Sequence, residues 1–324
     1  MIQKKTGTNN SIDIIKVVCC ILIVGSHCRP LLRNEVAYYY YREWFFRFCV
    51  PFFFISSGYF FSKMNVSKKR SYIKRIFLLY AISNVIYFPL VTIDTPKSTV
   101  YNLAFGFYHL WYLIALAFGL ILVFFADKFL QERKYWLILM LVPGILLDEY
   151  YKLFDIVILN KMVSAVRYIG GARNAVFFAM PLLLIGDLIA SRENQLLRLR
   201  KHTLVIAFLL FYALGFAEAT VLLNGIGPDI NADVTFFGWM PAVPLFLLGL
   251  RSPTRITPEN SRRMRKICDV VYIIHIWVVR ILGSHGILYL VRFPIATVIS
   301  FSLAAGFVFI AEYSSHHFTP MRKQ

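Results

Sequence analysis

The sequence predicts an all-α polytopic membrane protein, a bundle of about ten transmembrane helices with both termini cytoplasmic. Three observations predict it. Of 324 residues, 58% are hydrophobic and 17% aromatic but only 16% charged, with a mean hydropathy of +0.62, against roughly 25% charged in soluble domains. Apolar stretches of about 20 residues, the length that crosses a bilayer as a helix, recur along the whole chain. The 35 Lys and Arg residues, which with 17 acids give a net charge of +18, collect in alternate connecting segments. Topology and anionic lipid headgroups therefore account for the charge, and no nucleic-acid partner is expected. The same figures exclude a disordered chain, a disulfide-built secreted scaffold and an ordinary cytosolic enzyme.

In chain order the spans are expected at 12–31, 44–64, 73–93, 103–126, 134–149, 173–191, 203–223, 234–250, 267–285 and 289–311. The first follows Lys4 and Lys5 and is retained as a span, because no small-x-small cleavage site follows it. The second and third flank the basic run from Lys63 through Lys68, Lys69, Arg70, Lys74 and Arg75. The fourth and fifth flank Lys128, Arg133 and Lys134, and the fifth is short for a crossing. The sixth and seventh flank Arg192, Arg198, Arg200 and Lys201. The eighth is short and carries Pro241 and Pro244, so a kinked or partly re-entrant course is expected there. The eighth and ninth flank Arg251, Arg255, Arg262, Arg263, Arg265 and Lys266, read as a solvated topology signal, and Arg322 and Lys323 follow the tenth. The positive-inside rule makes these segments cytoplasmic and leaves 32–43, 94–102, 150–172, 224–233 and 286–288 outside.

The five cysteines form no C-x-x-C pair, so no metal or redox site is expected. Cys19 and Cys20 read as small hydrophobes in mid-span, and no Cys28–Cys49 bridge is expected. No period of 20 to 50 residues repeats, and the motifs of serine hydrolases, phosphate-binding loops, dinucleotide folds and zinc proteases are missing.

Ionisable groups inside spans cost several kcal/mol unless paired or lining a cavity, so they are the functional candidates. Asp13 and Lys16 enter the first span from the cytoplasmic side and His27 lies near its outer end. Eleven positions at 100° return to within about 20° of whole turns, which puts Lys16 and His27 on one face about 16 Å apart. At the outer depth lie Arg47 in the second span, His109 and Trp111 opening the fourth, Arg173 and Asn174 opening the sixth, Glu218 late in the seventh, and His275 with Arg280 in the ninth. A polar cavity opening outward is expected. Glu218 is expected to ion-pair with Arg47, Arg173 or Arg280, and Trp44, Trp111 and Trp239 to anchor at the interface.

At these residues the sequence resembles the integral-membrane acyltransferases known as the acyltransferase three family. The segment from Ser11 and Asp13 through Lys16 to Ser26-His27 is similar to the family's opening span, a basic residue and a His separated by ten. Arg47, Val50-Pro51 and Ser57-Gly58-Tyr59, set in a Phe-rich run, resemble a second block. Tyr108-His109-Leu110-Trp111, Arg173-Asn174 running to Pro181 and Gly186, and Val271-Tyr272 to His275 resemble three more, in order along nearly the whole chain. Through His27-Cys28-Arg29-Pro30-Leu31 and Gly171-Ala172-Arg173-Asn174 it is similar to the membrane domain of VanT-type serine racemases of glycopeptide-resistant bacteria, which continue into a cytoplasmic racemase domain. Lys16 departs from the family's usual Arg; it keeps the charge but lacks the bidentate fork.

The resemblance implies a multi-pass protein of the bacterial plasma membrane. It implies transfer of an acyl group, an acetyl group above all, from cytoplasmic acyl-CoA to a hydroxyl or amine acceptor of the cell envelope. Lys16, Arg70, Lys74 and Arg75 would hold the donor's phosphates, and His27 would be general base or acyl carrier. Arg47, Arg173 or Asn174 would stabilise the oxyanion, with Asp13, His109, Trp111, Glu218 and His275 completing the cavity and no metal involved. The alternative is uptake of L-serine for a racemase domain or partner, with Arg173 or Arg47 on the carboxylate and Glu218 on the ammonium.

Overall fold

A computed structural model describes residues 10–28, 34–90, 96–154, 157–167, 170–230, 232–252, 254, 256–287 and 289–317. Lys4, Lys5, Arg255, Arg322 and Lys323, and the Arg29-Pro30-Leu31 match, lie outside them. The main helices are α1 (Asn10–His27), α2 (Glu35–Ser62), α3 (Val66–Leu90), α4 (Pro96–Phe105), α5 (Trp111–Leu130), α6 (Val157–Arg167), α7 (Ala175–Ser191), α8 (Lys201–Ile226), α9 (Ala242–Arg251), α10 (Pro258–Ser284) and α11 (Tyr289–His317). The protein is all-helical, with no strand among the described residues.

Among the described residues six helical runs are long and apolar enough to cross a membrane: α2, α3, Trp111–Asp148, α8, α10 and the Val291–Ser314 part of α11; α7 and α9 are shorter apolar helices. A straight helix of 38 residues would reach about 57 Å, nearly twice the hydrocarbon thickness. Trp111–Asp148 is not straight. Gln131, at φ 49°, ends α5, and Lys134 Nζ meets the Asp127 carboxylate at 2.5 Å, so the expected fourth and fifth spans are separated at that break.

Local chemistry sets the other ends. Asn65 accepts the Lys68 N–H at the start of α3, Thr257 accepts the Asn260 N–H before Pro258 opens α10, and Gly227 at φ 113° closes α8. These are ordinary capping devices. Several expected boundaries shift: α2 begins nine residues before the expected 44, within the expected outer connection 32–43, and α3 seven before the expected 73. The fourth span begins at Trp111, because Gly106 and Tyr108 adopt positive φ between α4 and α5. Of the eighth, 234–241 is turn structure and only α9 is helical, as Pro241 disfavours a helical residue before it. The ninth begins nine residues early at Pro258, so Arg262, Arg263, Arg265 and Lys266 stand on a helix. The expected outer connections 94–102 and 150–172 contain α4 and α6.

The chain divides into two compact units, one from its two ends (1–42 and 248–324) and one from 43–247. In the terminal unit α1, α10 and α11 pack around Val24, Cys28, Val271, Val279, Ala296 and Ala304. In the other, α2 crosses α7 so closely that a Cβ on Gly58 would strike the backbone of Leu183 and one on Gly186 the backbone of Ile55. Small residues at such a crossing let helix backbones touch where lipid supplies no hydrophobic drive.

Candidate functional site

In the terminal unit α1 and α10 bring two imidazoles together. The His27 and His275 rings lie 5.1 Å apart between centroids, tilted by 52°. His275 is 1% exposed, and its Nδ1 lies 3.0 Å from the Val271 carbonyl and 2.9 Å from that of Tyr272. A carbonyl can only accept, so Nδ1 carries the proton and Nε2 is the basic nitrogen of the neutral ring. Nearer the start of α1, the buried Asp13 carboxylate accepts from Ser261 Oγ and Arg265 Nη1 of α10. Lys16, half-buried, sits in the field of Asp13, Asp269 and Arg265. Arg263 and Lys266 bond Glu312 of α11, each at 2.8 Å. Part of the basic block expected to be a solvated signal thus ties α10 to its neighbours. Arg280 is exposed on α10.

The second unit holds a chain of charges. Arg47 pairs with Glu43 one turn earlier and donates to Asp233 Oδ1 at 2.8 Å. Asp233 Oδ2 takes Arg173 Nη1, also at 2.8 Å, so one carboxylate bridges two guanidiniums. The Arg173 guanidinium lies 5.2 Å over the Trp111 ring, a cation–π contact. Two further acids fix the loop that carries Asp233. Asp148 accepts the Val234 N–H at 2.9 Å, and Glu218 accepts the Tyr150 hydroxyl and the N–H groups of Phe236 and Phe237. Glu218 is therefore a clamp on the loop backbone and not the arginine partner expected from the sequence; its two oxygens are taken by one hydroxyl and two amides. Arg173, Asp148 and Asp233 line an open cleft of about 400 Å³ with Tyr101, Val163 and Val166.

Asn174 caps α7: its Oδ1 accepts from Val176 and Phe177, while Nδ2 donates to the Gly171 carbonyl. His109, buried, meets the Tyr87 ring edge-on at 5.1 Å. Trp44 donates its indole N–H to the Tyr212 carbonyl at 2.8 Å, so it joins α2 to α8. Arg70, Lys74 and Arg75 are exposed on α3. Their neighbour Lys69 is buried and reaches Asp127 at 3.0 Å; Lys134 joins Asp127 to Asp187 of α7 at 2.8 Å.

Sequence reasoning missed Glu43, Asp148, Asp233 and this lysine–aspartate cluster. For Asp187 the signal was there, a lone acid in the apolar run Met180–Ser191. Asp233 and Asp148 sit at span ends, where an acid reads as solvated until its partners are known.

The sequence profile of a family described as an acyltransferase domain matches residues 9–312. An amino-acid racemase of Enterococcus faecalis is 28% identical over 306 residues, covering 85% of this chain and 42% of that protein. A serine/alanine racemase of Enterococcus gallinarum is 27% identical over 269 residues, 75% of this chain and 37% of the relative. A further Enterococcus faecalis amino-acid racemase matches at 27% over 224 residues, 64% of this chain and 31% of its own length. The chain thus spans well under half the length of these curated relatives. No solved structure matches it significantly.

Proposed function

The chain belongs to the acyltransferase-domain family, and on that premise we propose that it moves an acyl group, an acetyl group first, from cytoplasmic acyl-CoA to a hydroxyl or amine at the outer face of the bacterial plasma membrane. The observation that carries this reading is the His27–His275 contact in a unit whose α1 also holds Lys16. His27 takes the proton of the acceptor, the acceptor's oxygen or nitrogen attacks the thioester carbonyl, the C–S bond breaks, and the imidazolium returns its proton to the departing thiolate. A positioned imidazole supplies about 10²- to 10⁴-fold in such a step. Lys16 of α1, beside Asp13 and Arg265, is the group assigned to the phosphates of the donor.

The proposed topology keeps ten membrane segments with both ends inside, counting the six long runs, one of them broken in two at Gln131, and the shorter α1, α7 and α9. Calorimetric binding of acetyl-CoA to the detergent-purified protein tests the donor. Binding lost in Lys16→Ala but kept in His27→Ala supports the reading, and no binding by wild type removes it.

The names of the racemase relatives favour a second reading, supply of an amino acid such as L-serine to a cytoplasmic racemase domain or partner. It predicts accumulation of labelled serine in cells without dependence on acyl-CoA.

A further inference from the structure

The helix α3 carries Lys68, Lys69, Arg70, Lys74 and Arg75 near its start and no acid anywhere along Val66–Leu90. Of these cations Lys69 alone is buried: it turns inward to Asp127, which also takes Lys134. The others are exposed, and among the described residues no acid meets Lys68, Arg70 or Lys74. Other basic residues near span ends are answered within the protein. Lys63 pairs with Glu193, and Arg263 and Lys266 with Glu312.

Beyond the cations the same side of the helix is apolar and bare. At 100° per residue Lys74, Leu78, Ile82 and Val85 fall within about 80° of one another, and Leu78, Ile82 and Val85 are 61%, 46% and 75% exposed. Tyr80, Ser83, Asn84 and Tyr87, on the opposite side, are buried, so packing fixes which face is left. From Lys74 to Val85 that face rises about 17 Å, close to the hydrocarbon depth of one leaflet, about 15 Å. The basic end is also held in place. Lys69 and Lys134 fasten the start of α3 and the segment after Gln131 to one carboxylate. Phe129 and Trp136, both largely exposed, flank that tie in sequence, and aromatic rings of this kind sit at headgroup depth.

We propose that this face of α3 binds one anionic phospholipid, its phosphate on Arg70 and Lys74, one helical turn apart, and an acyl chain along Leu78, Ile82 and Val85. Two like charges at i and i+4 repel; a phosphate set against both removes that cost, and the chain covers bare apolar surface. A zwitterionic phospholipid brings an ammonium toward the same cations, and a soluble phosphate has nothing for the apolar stripe. Arg70 and Lys74, which the family resemblance offered to the phosphates of an acyl-CoA, take a lipid phosphate in its place. Such a lipid binds whichever functional reading above holds.

Native mass spectrometry of the purified, delipidated full chain tests this by titration with phosphatidylglycerol or phosphatidylcholine. Wild type should take up one phosphatidylglycerol before any further adduct, at about tenfold lower concentration than phosphatidylcholine. Glycerol 3-phosphate and coenzyme A, phosphates without a long acyl chain, should fail to displace it at about 100-fold excess. Lys68→Gln, Arg70→Gln and Lys74→Gln together should weaken the first adduct by about tenfold or more, whereas Arg198→Gln, Arg200→Gln and Lys201→Gln, which remove as much exposed positive charge from another basic connection, should leave it within about twofold. Both triple variants should elute and melt like wild type, because every substituted side chain is exposed; the lipid and competitor comparisons need wild type alone. An equal first adduct with either lipid, or an equal loss in the two triple variants, would overturn the proposal. Displacement by coenzyme A would overturn it as well, by giving these cations to the donor.

Discussion

In the unit formed by the chain's ends, the buried His275 meets the half-buried His27 and is anchored through a single nitrogen to its own helix. In the 43–247 unit, the buried charges Glu43, Lys69, Lys134 and Asp187 each meet an opposite charge. The contrast separates two uses of polarity in a membrane. An acid–base pair held salt to salt keeps its protons and fixes helices or recognises charge, because releasing either partner uncovers a buried ion. A neutral imidazole held through Nδ1–H to a backbone carbonyl carries no buried ion, and its Nε2 is left as an acceptor. Chemistry belongs to the first unit on this account, and positioning and recognition to the second.

That division can be broken in steps of decreasing size. His27→Ala should lower acyl transfer, read as CoA thiol release, by about 10²- to 10⁴-fold, while acetyl-CoA affinity changes by less than about threefold; equal losses in both would make His27 a binding group. In the second unit, Asp187→Ala should cost about 1.5–3 kcal/mol by removing one of the two carboxylates that hold Lys134, seen as lost thermal stability in detergent. Asp187→Leu with Lys134→Met should recover most of it, and a double variant no better than the single would mean the pair is not the source. Gly186→Ala, meeting the Ile55 backbone, should destabilise by about 1–3 kcal/mol; an unchanged melting temperature would show that α2 and α7 can move apart freely. Asn174→Ala should cost about 1 kcal/mol through the lost cap, with Asn174→Asp retaining most of the stability.

Helical class and most apolar segments could be read from the sequence, because the hydrocarbon core demands long apolar helices whatever their neighbours. Their ends were less legible. The break at Gln131 comes from a positive φ that nothing in Leu130-Gln131-Glu132 announces. The early start of α10 follows from a Thr257-Pro258 signal overruled in reading by the four basic residues behind it. At the site, depth alone was enough to set His27 and His275 at one level, and the structure gives their contact. Depth could not assign partners: Glu218 and Asp233 lie 15 positions apart, and which of them met an arginine was decided by how the 233–238 loop folds onto α8.

The most direct test of the account uses proteoliposomes loaded with a hydroxyl or amine acceptor and given acetyl-labelled acetyl-CoA on the side of the cytoplasmic loops. The account predicts label on the enclosed acceptor with wild type and almost none with His27→Ala of equal stability. Label transferred equally by the two proteins, or recovered only as acetyl-CoA on the side of addition, would contradict it.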